Sequence, residues 1–180
     1  MSPEMVPCAC LCDVYKSYGA KKVLRGLTLD VMPGETLVIL GGSGTGKSVT
    51  LRHIIGLEQP DAGIVKVEDR EVQDLHEDDL FEIRRKVGFL FQGGALFDSM
   101  NVFENIAFPL DKAGWGPEEI RERVCEVLGY VDLEPDVGDL MPSSLSGGMK
   151  KRAALARAIA VAPRGILYDE PTTGLDPITS

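Results

Sequence analysis

The sequence predicts an α/β fold with a buried parallel sheet at its core, an antiparallel β segment near the start and a helical segment in the middle. Three observations support this prediction. Short apolar runs over 36–40, 87–91 and 166–168 are typical of buried parallel strands. Runs of β type near the start are separated by turn residues, and segments of helical period with start signals fill the middle. The 180 residues suit one domain.

The antiparallel segment comes first along the chain. Runs of β type over 11–31 and 64–72 are broken by turn signals at Gly19-Ala20, Pro33-Gly34 and 61–63. Such runs predict an accessory antiparallel sheet.

Three cysteines lie around the start of the first of these runs. Cys8, Cys10 and Cys12 alternate and would share one face of a strand, and Cys125 lies far along the chain. A C-x-C-x-C run on one strand does not by itself supply tetrahedral metal geometry. We interpret the cysteines as small apolar fillers and assign them no metal.

A glycine-rich loop follows the apolar run 36–40. Residues 41–48 read GGSGTGKS, which matches the phosphate-binding pattern GxxxxGK[ST], and the helix-compatible stretch 48–57 follows. Backbone N–H groups of such a loop and the helix N-terminus converge on an anion, and glycines let the phosphate approach. Lys47 would add charge for the β- and γ-phosphates, and Ser48 a hydroxyl for Mg²⁺. A plain glycine turn is the alternative to this nucleoside triphosphate site.

The residues expected to contact nucleotide in and after this loop are Gly41, Gly42, Ser43, Gly44, Thr45, Gly46, Lys47, Ser48 and Val49.

Two helices are predicted in the middle of the chain. Asn101 and Glu104 form a capping box for a helix that we expect to reach Phe108 and to be stopped by Pro109. Pro117 begins the second helix. Its predicted apolar face carries Ile120, Val124, Val127 and Leu128.

The segment LSGGM over 145–149 precedes a stretch of helical period, 150–160. Ser146 can cap that helix, and Gly147 and Gly148 leave backbone N–H groups open to a phosphate. An ordinary capped helix start is the alternative at this point. Basic residues over 150–152 oppose the helix dipole by tenths of a kcal/mol, so a nearby anion would compensate them.

Two carboxylates follow the last apolar run. Asp169 at the strand end could orient Mg²⁺ through water, and Glu170 could polarise an attacking water. Such a pair is a weak signal when it stands alone. A phosphate loop alone is equally compatible with kinases and GTPases. Together they favour an ATPase that uses a carboxylate base.

The composition excludes other classes of protein. The formal net charge of −9 and the lack of a basic stripe argue against nucleic acid as the main partner. No apolar run reaches the roughly 18 residues of a membrane span. Residues 1–12 lack the features of a signal or transit peptide, so we expect a cytosolic location.

The order of these motifs resembles that of ABC ATPases. A Walker A loop over 41–48, a Q-loop at Gln92, the 145–149 signature, a Walker B strand ending at Glu170 and a D-loop over 173–176 follow one another. The resemblance implies a P-loop NTPase with a RecA-like parallel sheet core, an antiparallel β subdomain and an α-helical subdomain.

The expected division is a single, incomplete ABC ATPase domain over 1–180. Segments 1–92 and 161–180 would form the core with the β subdomain, and 93–160 the helical subdomain that carries the signature.

The resemblance also implies roles for single residues. Tyr18 resembles the aromatic residue that stacks on adenine. Two ATPase copies would face head to tail, with Lys47 and the loop amides acting in cis and the signature of the other copy in trans. The implied catalytic residues are Glu170, Lys47 and Gln92, the implied Mg²⁺ residues are Ser48, Gln92 and Asp169, and the further ATP contacts are Gln92, Ser146, Gly147, Gly148, Asp169 and Asp176.

Two short stretches narrow the resemblance. Segments 96–102 and 176–179 are similar to the ATPase of Mce/Mla-type phospholipid transporters, and the chloroplast lipid-import ATPase is similar too. This implies a lipid transporter with an integral-membrane permease, which would dock on 96–130, and an MCE-type substrate-binding protein. The ATPase would lie at the cytoplasmic face of the inner membrane.

One family feature is not found in the sequence. ABC ATPases carry a switch histidine after the D-loop, whereas the only histidines here are His53 and His76. We therefore expect a C-terminally truncated domain with doubtful activity of its own. A non-hydrolysing nucleotide-binding remnant and a soluble ABC ATPase unrelated to transport stay open as alternatives.

Overall fold

The structure, a computed structural model, describes residues 6–170 and divides the chain into two compact units, Met1–Arg84 and Arg85–Ser180. Each unit has its own sheet. The subdomain boundaries expected after residues 92 and 160 stay predictions.

The first unit contains the expected antiparallel sheet. Its strands are β1 (Ala9–Tyr18), β2 (Lys21–Val31), β3 (Ala62–Val67) and β4 (Arg70–Glu71), in the spatial order β2-β1-β3-β4. β1 pairs antiparallel with both β2 and β3. The turn-bounded runs of β type therefore predicted this sheet correctly.

Two helices belong to the first part of the chain, α1 (Lys47–Ile54) and α2 (Glu77–Lys86). A short 3₁₀ helix over Val72–Asp74 precedes α2. Leu11, Val14, Val65 and Val67 are fully or almost fully buried in the sheet, and Ile54 at the end of α1 is also buried. Burial of these side chains holds the phosphate-loop helix in the same core as the antiparallel sheet.

The strand expected over 36–40 is not formed. Residues 35–42 have no regular secondary structure, and 36–40 are exposed, with Leu40 88% accessible. A β-strand is stable only when neighbouring strands complete its backbone hydrogen bonds. Within residues 6–170 no strand pairs with this segment, so its apolar composition alone does not make it a strand.

The second unit contains a parallel strand pair and a helical core. β5 (Val87–Leu90) pairs parallel with β6 (Gly165–Tyr168), from Val87 opposite Gly165 to Leu90 opposite Tyr168. This confirms the two predicted parallel strands. Their burial is lower than expected, because Tyr168 on β6 is 44% accessible.

Three helices form the core of the second unit, α3 (Val102–Lys112), α4 (Pro117–Tyr130) and α5 (Gly147–Ile159). Short 3₁₀ helices over Pro135–Asp139 and Pro142–Ser144 connect α4 to α5. All four residues of the apolar face predicted for α4 are buried in this core, which also holds Val102, Ile106, Leu110, Ala153 and Ala156.

The end predicted for α3 was wrong. The capping box of Asn101 and Glu104 is present, but the helix runs past Pro109 to Lys112. A helix-interior proline removes one backbone hydrogen bond. Leu110 is completely buried one residue further on, and its burial offsets that loss.

The cysteines are less buried than expected of apolar fillers. Cys12 and Cys125 are exposed, and Cys8 and Cys10 are half-buried. A hydrogen bond with Asp30, together with burial, raises the pKa of Cys10 to about 11. The thiol of Cys10 is therefore protonated at neutral pH.

None of the helices within residues 6–170 combines the length and the apolar character needed to cross a bilayer.

Candidate functional site

The glycine loop opens α1 as predicted. Gly46 is the residue before the helix, with a left-handed φ of 104°, a conformation that glycine adopts without the penalty of a Cβ. A Cβ at Gly46 would also lie 2.9 Å from Leu24 Cδ2. Residues 41–45 are exposed and lie just before the N-terminus of α1, where an anion is stabilised.

Lys47 lies over the loop rather than extending into solvent. Its Nζ donates to the carbonyl oxygens of Gly41 and Gly42, at 3.0 Å each. Thr45 Oγ1 also donates to the Gly42 carbonyl, at 2.9 Å. The ammonium group is therefore already held beside the loop that would receive a triphosphate.

The loop packs on the hairpin between β1 and β2. A Cβ at Gly44 would be 3.4 Å from Lys21 Nζ, and Lys21 is paired with Tyr18 across the hairpin. The predicted adenine-stacking Tyr18 and the predicted phosphate loop thus lie at the same end of the first unit. In the sequence, only the resemblance of Tyr18 to a family position predicted that it would lie near the loop.

The ring of Tyr18 is 45% accessible, and its hydroxyl donates a hydrogen bond to Glu58 Oε1. Burial of the hydroxyl and this hydrogen bond raise the pKa of Tyr18 to about 12. The carboxylate of Glu58 therefore fixes the ring by its hydroxyl end, while the exposed part of the ring could accept a base.

The second candidate site lies where β5 and β6 end. Asp169 is buried, and its backbone N–H donates to the Leu90 carbonyl at 3.0 Å, which extends the parallel ladder by one residue. Gln92 Nε2 donates to Glu170 Oε2 at 3.2 Å. The structure thus brings together the Q-loop amide and the predicted base, and Asp169 lies directly beside that base in the chain.

Glu170 has a left-handed backbone, with φ of 50°. This region is unfavourable for a residue with a side chain, and such strain is concentrated at functional sites. The strained backbone turns the chain directly after the ladder, where the carboxylate meets Gln92.

The LSGGM segment opens α5 as predicted. Ser146 Oγ accepts a hydrogen bond from the Met149 N–H at 3.2 Å, so Ser146 is the cap of the helix. A Cβ added at Gly147 or at Gly148 would lie in open space. The backbone at this helix N-terminus is therefore accessible to a ligand.

One basic residue in the second turn of α5 has a structural role that the sequence did not indicate. Arg152 Nη1 donates to the carbonyl oxygen of Asp132 at 2.5 Å, and that of Val131 lies 3.5 Å away, just past the end of α4. The cation thereby satisfies carbonyl groups beyond a helix C-terminus. An anion is not needed to explain Arg152.

Each residue predicted to hold Mg²⁺ carries an oxygen atom, the kind of ligand that this ion prefers. Ser48 offers a hydroxyl, Asp169 a buried carboxylate, and Gln92 an amide oxygen that does not take part in the bond to Glu170. Among residues 6–170 no group of three or more His, Cys, Asp or Glu side chains could hold a metal ion on its own. A few protein oxygens together with phosphate oxygens is the usual way in which Mg²⁺ binds. Asp176 lies outside the described residues.

Sequence reasoning missed two polar residues of the second unit. Asn105 is completely buried in α3, and Arg157 is half-buried on α5. A signal for Asn105 was available, because it lies three residues after the apolar Val102, at helical spacing.

A glycine loop opening a helix and an Asp-Glu pair ending a parallel strand are together typical of a P-loop nucleoside triphosphatase. The model of the ABC transporter family matches residues 24–173. The chain belongs to the ABC transporter family.

The chain is similar to several curated proteins. It is 46% identical to the probable ribonucleotide transport ATP-binding protein mkl of Mycobacterium leprae, over 91% of this chain and 47% of that protein. It is 43% identical to the methionine import ATP-binding protein MetN of Clostridium tetani, over 93% and 52%. It is also 43% identical to the chloroplastic protein TRIGALACTOSYLDIACYLGLYCEROL 3 of Arabidopsis thaliana, over 93% and 50%. The chain spans about half the length of these relatives.

A solved structure has the same fold. The dimeric structure of the ATP-binding cassette MJ0796 in a post-hydrolysis state, bound to ADP and Pi, matches with a TM-score of 0.87 and 37% identity. The match covers 95% of this chain and 77% of that one. The expected fold class is thereby confirmed. The family match supports the ABC resemblance, whereas the relatives' names do not single out phospholipid transport.

Proposed function

We propose that the chain binds and hydrolyses ATP as the energy-coupling subunit of a membrane ABC transporter. The observation that carries the hydrolytic part is the end of the β5–β6 pair, where Gln92 donates to Glu170 beside the buried Asp169. A carboxylate that is oriented by an amide donor suits the activation of a water molecule. Hydrolysis would give ADP and phosphate.

Binding of the triphosphate is assigned to the first unit. The N–H groups of 41–46 would contact phosphate oxygens, with Lys47 exchanging its bonds to the Gly41 and Gly42 carbonyls for bonds to the phosphates. Tyr18, fixed by Glu58, would stack on the adenine. When bound, Mg²⁺ would neutralise phosphate charge, and Ser48, Asp169 and Gln92 are the residues assigned to it.

Hydrolysis would require a second copy of the chain. The open backbone at Gly147 and Gly148, with Ser146 beside it, would contact the γ-phosphate of the opposite copy. The neighbouring cassette MJ0796 supports this arrangement, since it is dimeric with ADP and Pi. Millimolar ATP binding needs only about −4 kcal/mol, but catalysis needs a barrier reduction of about 8 kcal/mol or more. A single copy should therefore bind ATP and hydrolyse it poorly.

The decisive experiment is a phosphate-release assay with bound nucleotide measured in parallel. We expect wild-type turnover to rise more than linearly with protein concentration. We expect Glu170→Gln to bind ATP as the wild type does but to release no phosphate. Binding without turnover in the wild type would favour the non-hydrolysing alternative, and turnover that persists in Glu170→Gln would refute the base role.

For the cargo, we propose a lipid. The stretches 96–102 and 176–179 support this, together with the similarity to the Arabidopsis protein, whose name contains a galactolipid. The names of the other relatives point to ribonucleotides and methionine, so these are the competing cargoes. The expected partners are a permease that docks on 96–130 and an MCE-type binding protein, with the ATPase peripheral at the cytoplasmic face of the inner membrane.

Cargo is best tested by co-purification and reconstitution. The chain would be reconstituted with its permease in lipid-free detergent solution, and ATPase stimulation measured with added phospholipid, methionine or ribonucleotide. Stimulation by phospholipid alone is expected. Stimulation by methionine or ribonucleotide would overturn the lipid proposal and leave the ATPase proposal intact. Failure to co-purify with any permease would favour a soluble ABC ATPase.

A further inference from the structure

Arg157 on α5 contacts the loop that follows β5. Its Nη2 donates to the Gly94 carbonyl at 3.1 Å, and Gly94 lies close after Gln92 in the chain. Its Cζ also lies 5.3 Å from the centre of the Phe97 ring, within the range of a cation–π contact. One side chain of α5 thus contacts both ends of the segment 94–97.

Asn105 extends this contact to the rest of the loop. Its Nδ2 donates to the carbonyls of Phe97, Met100 and Asn101 at 2.9–3.1 Å, and its Oδ1 accepts from the Phe97 N–H at 2.8 Å. Arg157 Nη1 lies 3.5 Å from the same Oδ1. The backbone of 97–101 is therefore held by a completely buried amide that also faces Arg157.

The loop touches α5 directly at Gly94. A Cβ at this position would lie 3.1 Å from Ala154 Cβ and 3.4 Å from the Lys150 carbonyl oxygen, and φ is +86°. A residue with a side chain would therefore be strained and crowded here. Gly94 gives the loop its close approach to the helix, and the Arg157 bond holds it there.

Folding alone does not account for a cation at this position. In the part of the chain that the structure describes, the guanidinium faces a carbonyl, an amide oxygen and an aromatic ring, without a carboxylate. Burial lowers the pKa of Arg157, because desolvation disfavours the charged form. Burying a cation without a counter-charge is unfavourable, so an apolar residue would suit a purely structural position better.

We propose that Arg157 is a positioning residue for hydrolysis. It holds the loop 92–97 on α5, so that Gln92 stays aligned with Glu170. The loop 97–101 then follows any displacement of α5. This inference rests on the proposed ATPase function, and it assigns that function a residue outside the sequence motifs. A displacement of a catalytic group by about 1 Å can lower a rate by about a hundredfold.

The chain supplies a matched control in Arg123. This arginine of α4 also donates to backbone carbonyls near α5, those of Ala160 and Ile159, at 2.8 and 3.1 Å. These carbonyls lie at the far end of the helix from the signature, and Arg123 has no bond to 92–101. Its loss should therefore affect stability but not the position of Gln92.

The experiment compares Arg157→Met, Arg157→Lys and Arg123→Met in the full 180-residue chain. Hydrogen exchange is measured without nucleotide at the N–H groups of Gly94 and Phe97, which are bonded to Phe91 and Asn105. We expect Arg157→Met to speed exchange at both at least tenfold. Arg123→Met should leave the exchange rates at Gly94 and Phe97 unchanged relative to those across α5. Arg157→Lys keeps a cation and a donor, so it should recover part of the protection.

Phosphate release is measured on the same variants. Arg157→Met should lower kcat tenfold to a hundredfold with little change in KM for ATP, and Arg157→Lys should rescue part of it. Unchanged exchange at Gly94 and Phe97 in Arg157→Met would overturn the proposal that Arg157 holds the loop on α5. Faster exchange with wild-type kcat would overturn its role in hydrolysis. Absence of turnover in the wild type would instead count against the proposed function. The exchange data would still decide whether Arg157 holds the loop on α5.

Discussion

Lys47 shows at the scale of one residue how the sequence prepares a phosphate site. Its ammonium group is held 3.0 Å from two carbonyl oxygens of the exposed loop that precedes α1. An approaching triphosphate can take over those bonds without a large movement of the side chain. The local positive charge matters because the chain as a whole carries −9 and repels an anionic ligand.

Removal of this ammonium group should weaken ATP binding. A hydrogen bond to a charged group contributes about 1.5–3 kcal/mol, so we expect Lys47→Ala to raise the dissociation constant at least tenfold. Titration calorimetry checks this value. Lys22→Ala, which alters an exposed lysine on β2, is the control and should bind normally. Equal affinities of the two variants would contradict the assignment of Lys47.

The hydroxyl of Tyr18 offers a pH-dependent test. Its pKa is raised from 10.0 to about 12 by burial and by Glu58. Folding therefore favours the protonated phenol, and this contribution is complete below pH 10 and lost as the pH rises through about 12.

The titration is followed by tyrosinate absorbance, as the difference between wild type and Tyr18→Phe. Glu58→Gln should bring the midpoint back toward the ordinary value, because the carboxylate no longer opposes ionisation. A Tyr18 midpoint near 10 in the wild type would contradict the hydrogen bond that orients the ring.

Residues with local roles could be predicted from the sequence, and residues with distant partners could not. Ser146 and Asn101 act as helix caps on N–H groups three residues away, a pattern that can be read directly in the sequence. Arg157 instead meets Gly94, which lies 63 residues away in the chain. Nothing in the sequence near either residue indicates this contact.

At the scale of elements, α3 shows that packing overrides a local stop signal. The helix continues through Pro109 because Leu110 is buried in the core of the second unit. The Trp115 N–H also bonds back to the Leu110 carbonyl at 3.2 Å. Tertiary contacts thus fix the end of this helix.

A pair of neighbouring substitutions tests this explanation. We expect Leu110→Ala to lower the free energy of unfolding by about 2–5 kcal/mol, because it leaves a cavity. Pro109→Ala should not destabilise the protein, since alanine restores a helical N–H donor. Urea denaturation of both variants gives the values. A larger loss for Pro109→Ala than for Leu110→Ala would show that the proline itself holds the helix.

The segment 36–40 shows the opposite failure of prediction. Its apolar composition is typical of a strand, yet strand formation depends on partners that composition does not reveal. In the described part of the chain it has no ladder partner. The pair β5–β6 was predicted by the same kind of run and has its partners within one unit.

At the scale of the molecule, the order of the motifs was more informative than any element. Each motif alone had a structural alternative, but together they predicted the family that the comparisons confirm. The contact between Gln92 and Glu170 supports the predicted hydrolytic chemistry within one unit. The cargo leaves no such contact in the structure, because the proposed ATPase subunit is not expected to touch it.

The central proposal is that two copies bind ATP between them, with the signature of each copy on the nucleotide of the other. Sedimentation of Glu170→Gln with Mg²⁺ and ATP tests it most directly. We predict a dimer with ATP and a monomer with ADP. Adding Ser146→Arg should leave ATP binding intact and abolish the dimer. A Glu170→Gln chain that is saturated with ATP yet stays monomeric, or that dimerises equally well with Ser146→Arg, would contradict the account.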